Sequence, residues 1–143
     1  MTSPVTETPA AASEAAAIHF ANKLGFEADC WDVHESMRTG SADFVLLDVR
    51  GPDAYARGHV PGAINLPRGK IIASKMEAWS KDTVFVVYCA GTHCNGADKA
   101  ALRLARLGRP VKLMVGGAIG WLDEGFFHAH GAEPGSIRQT EAA

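Results

Sequence analysis

The chain has 143 residues, 47% of them apolar, with 14 basic and 16 acidic side chains and a formal net charge of −2. That length holds one domain with a real core and too little chain for two, and its well-mixed charge gives no electrostatic basis for nucleic-acid or anionic-membrane partners. No apolar run approaches the roughly 18 residues of a membrane helix, and the first basic residue, Lys23, follows an alanine-rich stretch broken by Glu14, which is wrong for an export leader and makes a cytoplasmic location the expectation.

Residues 1–10 are rich in Ser, Thr and Pro without periodicity and are expected to form a mobile tail ahead of a single domain over residues 11–130. Residues 11–24 permit a helix that Gly25 ends. Trp31, Val33, His34 and Met37 supply one face of a short helix, with Asp29 ahead of it and Gly40 behind. "DFVLLDVR" is a continuous apolar run of the kind that a strand buried on both faces requires, which favours a parallel sheet. "GPDAYARGHVPGAINLP" is a glycine- and proline-rich connection with a short strand at residues 63–66, and residues 71–79 have mixed helical character. "TVFVVY" is the second buried strand. Residues 96–107 form a helix whose alanines and Leu104 share one face while Lys99, Arg103 and Arg106 lie on the other. "VKLMV" is a further strand, "GGAIGWLDEG" turns tightly into a last helix, and residues 131–143 are expected to be a tail. Alternating strands and helices predict an α/β fold with helices on both faces of a mostly parallel sheet.

Three cysteines, Cys30, Cys89 and Cys94, are too few for a disulfide scaffold. Cys89 stands where "VFVVY" ends, and ligands of open parallel sheets bind outside the carboxyl ends of strands. The following "AGTHC" and the start of the next helix can turn several N–H groups inward, and Asn95 is an N-cap candidate. A sulfur at the centre of such a nest is expected to be a thiolate with a depressed pKa, and so a nucleophile. The plainer alternative is a small apolar residue that closes a buried strand.

Three segments together resemble the rhodanese-like family: "LLDVRGPDAYARGHVPGAINLP", "VVYCAGTHCNGADKAALRLARLG" and "VKLMVGGAIGWLDEG", spanning about residues 30–127. The resemblance implies a five-stranded sheet flanked by helices on both faces. It also implies a sulfurtransferase that moves a sulfane sulfur from thiosulfate or a persulfide to a thiol or cyanide acceptor, through a persulfide on Cys89. Ping-pong kinetics follow from such a covalent exchange. The backbone of Ala90, Gly91, Thr92, His93, Cys94 and Asn95 would cradle the persulfide, and no metal or organic cofactor is implied. The partners are small sulfur donors and thiol acceptors, including a protein thiol. The six-residue loop matches the sulfurtransferase branch; the phosphatase branch has an arginine six residues after the cysteine, where this chain has Asn95.

The sequence departs from the family at Cys94, where many members carry an arginine. An anionic donor thereby loses a charge-assisted contact worth roughly 1.5–3 kcal/mol, which puts persulfide donors on an equal footing with thiosulfate. Cys94 is a second thiol for the site: it either attacks an oxidised or persulfidated Cys89 or tucks its sulfur against the helix. The rival readings are therefore a thiol–disulfide redox or sensor protein using Cys89 and Cys94, and a non-catalytic rhodanese-like binding module. Asp48 and Arg50 end the first buried strand on the same edge and either support the site or form a structural ion pair, Arg50 with Asp53. His59 is expected to hold a loop, His34, His128 and His130 to lie at the surface, and Cys30 and Trp121 to be packed.

Overall fold

The computed structural model describes residues 1–142. The two buried runs become β2 (Phe44–Asp48) and β4 (Val84–Tyr88), which pair in parallel at the middle of a five-stranded, all-parallel sheet. β3 (Ile64–Asn65) lies outside β2, while β5 (Val111–Met114) and β1 (Glu27–Ala28) lie beyond β4, giving the order β1-β5-β4-β2-β3. The chain leaves β2 toward one edge and comes back to the other side of β2 through β4. The carboxyl ends of β2 and β4 are thus where the winding direction reverses, the usual place for a ligand crevice in such sheets.

Side chains alternate across β4. Val86 and Tyr88 join one core with Val33, Met114 and Trp121; Phe85, Val87 and Cys89 join the other with Ala97, Ala100 and Leu104. The first core lies beneath α2 (Cys30–Arg38), α6 (Gly117–Asp123) and α7 (Ile137–Ala142), and the second beneath α5 (Gly96–Arg106). Helices therefore cover both faces, which is why the central strands carry no polar face. α3 (Pro52–Arg57), a 3-10 turn (Arg68–Lys70) and α4 (Ala73–Met76) complete the connections. α2 begins as the sequence predicts, with the Asp29 carboxylate accepting from Asp32 N–H at 2.8 Å. Among the described residues no helix is long and apolar enough to cross a membrane.

Several expectations need correction, and one strand was not anticipated. α1 (Ser13–Phe26) runs through Gly25, because the chain passes directly into β1 and Gly25 has no positive-φ turn to make. β1 is two residues paired with Leu113 and Met114 on β5, too short to leave a pattern. Residues 71–79 give a helix only over Ala73–Met76. Residues 131–143 are not simply a tail: α7 buries Ile137 to 5% exposure, and Glu141 Oε1 meets His34 Nε2 at 2.7 Å. His34 consequently leaves the surface for the core, where it stacks on Phe126 with ring centroids 3.8 Å apart.

Candidate active site

Cys89 is the first residue beyond β4 and continues the alternation, so its side chain projects toward α5 and is 4% exposed. The loop behind it closes tightly: Cys94 N–H donates to Gly91 O at 3.1 Å. The opening turn of α6 then grips the loop from outside, with Ala118 N–H on Cys89 O and Ile119 N–H on Ala90 O, both at 2.9 Å. That approach depends on Gly117, at φ +61°: a Cβ there would collide with the Cys89 carbonyl and stand 3.0 Å from Gly91 N.

The N–H cradle is divided between two sulfurs. Gly96 N–H donates to Cys94 Sγ at 3.4 Å; the Ala90 backbone also favours the Cys94 thiolate, and the Ala97 and Gly91 backbone favours that of Cys89. The balance at each sulfur differs from expectation. Burial pushes the Cys89 thiol up, and the Cys94 side chain adds to that, against the smaller opposing effect of the two N–H groups. Cys94 is held down, first by Gly96 N–H and then by its hydrogen bond with Cys89, with the positive field of Arg68 a lesser contribution. The more acidic thiol is therefore Cys94, because desolvation outweighs the nest at the deeper position. Thr92, His93 and Asn95 are exposed. Asn95 stands at the N-cap but makes no side-chain cap; the Cys94 sulfur takes the first helical N–H instead.

Asp48 and Arg50 form a buried pair with each other, not with Asp53. Asp48 is fully buried, with Arg50 Nη2 at 2.6 Å and Nε at 3.0 Å from its carboxylate, and the same Nη2 donates to Gly58 O at 2.6 Å. The adjacent spacing Asp-x-Arg lets the guanidinium fold back on the strand end, which no pairing with Asp53 could match in burial. This pair ties the connection after β2 to the sheet beside Tyr88, the residue paired with Asp48 and preceding Cys89. His59 is buried, its ring nitrogens facing Tyr55 O at 2.8 Å and Pro134 O at 3.1 Å, as expected for a loop holder. Cys30 is packed, with burial raising its thiol to about 12.

Sequence reasoning missed the cations that other loops bring to the site. A cavity of about 320 Å³ opens beside Ala90, lined among others by Arg50, Arg57, Ile119 and His128. His128 is half-buried, with Nε2 2.9 Å from Ala118 O, and burial lowers its pKa. Arg68 acts on Cys94 from the segment after β3. These residues carry no local signal: Arg57 and His128 come from distant segments to the cavity beside Ala90, and Arg68 acts on Cys94 from a third. Among the described residues no cluster of three or more His, Cys, Asp or Glu side chains has the arrangement of a metal site.

A sequence profile described as the rhodanese-like domain matches residues 30–124. The chain is 36% identical over 123 residues to an HTH-type transcriptional regulator of Mycobacterium tuberculosis, covering 80% of this chain but only 54% of that protein. It thus spans about half the length of that curated relative. It is 34% identical over 83 residues to a sulfurtransferase of Allochromatium vinosum, covering 58% of this chain and 76% of the relative. The crystal structure of a Bacillus halodurans protein superposes with a TM-score of 0.80 at 35% identity, over 85% of this chain and 88% of that one.

Proposed function

The chain belongs to the rhodanese-like domain family, and on that premise we propose that it is a sulfurtransferase that carries a sulfane sulfur as a persulfide on Cys89. The observation that carries this reading is Cys89 buried at the winding switch of the sheet, its thiol 3.3 Å from Cys94 O and the tight Cys89–Cys94 loop closed around it by the Cys94 N–H to Gly91 O bond. Once deprotonated, Cys89 attacks the outer sulfur of the donor; the donor's sulfur–sulfur bond breaks and the remainder leaves as sulfite or a thiolate. The outer persulfide sulfur inherits the negative charge, and the backbone N–H groups that favour the Cys89 thiolate would stabilise it in turn. An acceptor thiol or cyanide then removes that sulfur and restores Cys89.

Arg57 and Arg68 bear on the choice of donor. The loop lacks a cation, but Arg57 lines the cavity beside Ala90 and Arg68 acts on Cys94. Both are exposed, so their attraction is screened in water. They support anionic donors as a class, thiosulfate and carboxylate-bearing persulfides alike.

The test is intact mass after exposure to thiosulfate and, separately, to glutathione persulfide, using the Cys94→Ser chain so that the second thiol plays no part. A gain of one sulfur atom that Cys89→Ser abolishes is expected. No gain from either donor, or a gain that survives Cys89→Ser, would overturn the assignment.

A further inference from the structure

We propose that Cys94 resolves the Cys89 persulfide, releasing the transferred sulfur as hydrosulfide and leaving a Cys89–Cys94 disulfide. This rests on the persulfide reading above. A family member that only passes sulfur to an external acceptor has no use for a second thiol facing the first, and here the two share one small space. A methyl group placed on Gly96 would stand 3.4 Å from Cys94 Sγ, 3.6 Å from Cys89 Cβ and 3.8 Å from Cys89 Sγ. The Cys89 thiol already faces the Cys94 carbonyl oxygen at 3.3 Å, and the two thiols shift each other's ionisation in opposite directions. Glycine at position 96 is what leaves this space open, and it also supplies the N–H bonded to Cys94 Sγ.

The reactivities run in the required direction. Cys94 is the sulfur held in the more acidic state, so it is the nucleophile, and it is only half-buried. Its thiolate attacks Cys89 Sγ, forming the bond between the two cysteines. The anionic persulfide first takes a proton from solvent; the bond from Cys89 Sγ to the outer sulfur then breaks, and its electron pair leaves with that sulfur as HS⁻. The sulfane sulfur is reduced and the two cysteines are oxidised, with no further oxidant or reductant. Hydrosulfide is a good leaving group in such an exchange, because its conjugate acid is stronger than an ordinary thiol. A second turnover requires an external dithiol, which reduces the Cys89–Cys94 bond and is itself oxidised to a disulfide. The net activity is dithiol-dependent conversion of a sulfane sulfur to hydrosulfide.

The experiment exposes the reduced full chain to thiosulfate or glutathione persulfide, whichever loads the Cys94→Ser chain, then removes the small molecules and adds no thiol. In the unmodified chain we expect hydrosulfide release, a mass lower by two hydrogens, and a linked Cys89–Cys94 peptide pair. Cys94→Ser and Cys94→Ala should instead retain the added sulfur and release hydrosulfide at least about tenfold more slowly. Cys30→Ser should behave as the unmodified chain does. An unmodified chain that keeps its added sulfur and releases nothing refutes the resolving role while leaving the persulfide reading intact. Hydrosulfide release undiminished in both Cys94 variants refutes it equally. Failure of Cys94→Ser to take up sulfur from either donor overturns both proposals at once.

Discussion

At Cys89, burial and hydrogen bonding pull in opposite directions. Two N–H groups favour the thiolate, but the low-dielectric setting and a neighbouring sulfur disfavour it by more. At Cys94 the burial is slight and the N–H groups prevail. Peptide-resolved alkylation across pH should therefore modify Cys94 first as pH rises, with Cys89 following at higher pH. Ionised Cys94 places a negative charge beside Cys89, so Cys94→Ala should move the Cys89 profile toward lower pH; an unmoved profile would show that burial alone sets it. The position of Cys89 was legible in the sequence, because an apolar run of strand length ending on a cysteine needs nothing else to define it. Its charge balance was not. Desolvation depends on the core that Cys89 shares with residues such as Leu66, Ile71 and Ala97, and those come from distant segments. The same limit hid Arg57 and Arg68, while the Arg50–Asp48 pair was overlooked because spacing alone does not say which carboxylate is buried.

Among the elements, α6 has the most direct hold on the site. Its first turn contributes two N–H bonds to the cysteine loop, and Gly116 and Gly117 both sit at positive φ to bring it there. Gly117→Ala would combine an unfavourable left-handed conformation with a clash against the Cys89 carbonyl. The expected cost is about 1–3 kcal/mol of stability. Because the displaced groups are the loop's own, Cys89 should also load sulfur more slowly. A urea midpoint and a loading rate measured on the same variant check both parts, and a stability loss with unchanged loading would mean that α6 supports the fold without shaping the loop. "GG" announces a turn in the sequence, yet the reason for it lies some 25 residues earlier in the chain. Elements with their own periodicity, β2, β4 and α5, were readable for the opposite reason: both faces of each strand, and one face of the helix, are apolar. β1 and α7 form mainly because something else is already there to receive them, and neither could be read locally.

Across the whole molecule, the segment after α6 does two separable jobs. Residues 128–134 secure the loops around the site: Ala129 and His59 exchange backbone hydrogen bonds at 2.8 and 2.9 Å, and Pro134 O accepts from Gly62 N–H at 2.8 Å. Gly58, next to His59, in turn offers its carbonyl to Arg50. Beyond Gly135 the chain adds to the core beneath α2, through Ile137 and the Glu141 contact to His34. Ending the chain after Gly135 should therefore lower stability without disturbing the cysteine loop. Loss of the buried isoleucine alone is worth about 1.5–3 kcal/mol, a fall of several degrees in Tm for a domain of this size. Removing residues 1–12 should leave Tm unchanged, since all of them are exposed and none belongs to a helix or strand. Thermal unfolding of the two truncations, each paired with a Cys89 loading rate, separates the jobs. A chain ended after Gly135 that melts early yet loads sulfur at the full rate below its Tm fits the division, because the ties from residues 128–134 remain. If loading falls in step with stability, α7 reaches the site through α2 and α6, and the two cores of the sheet act as one cooperative unit.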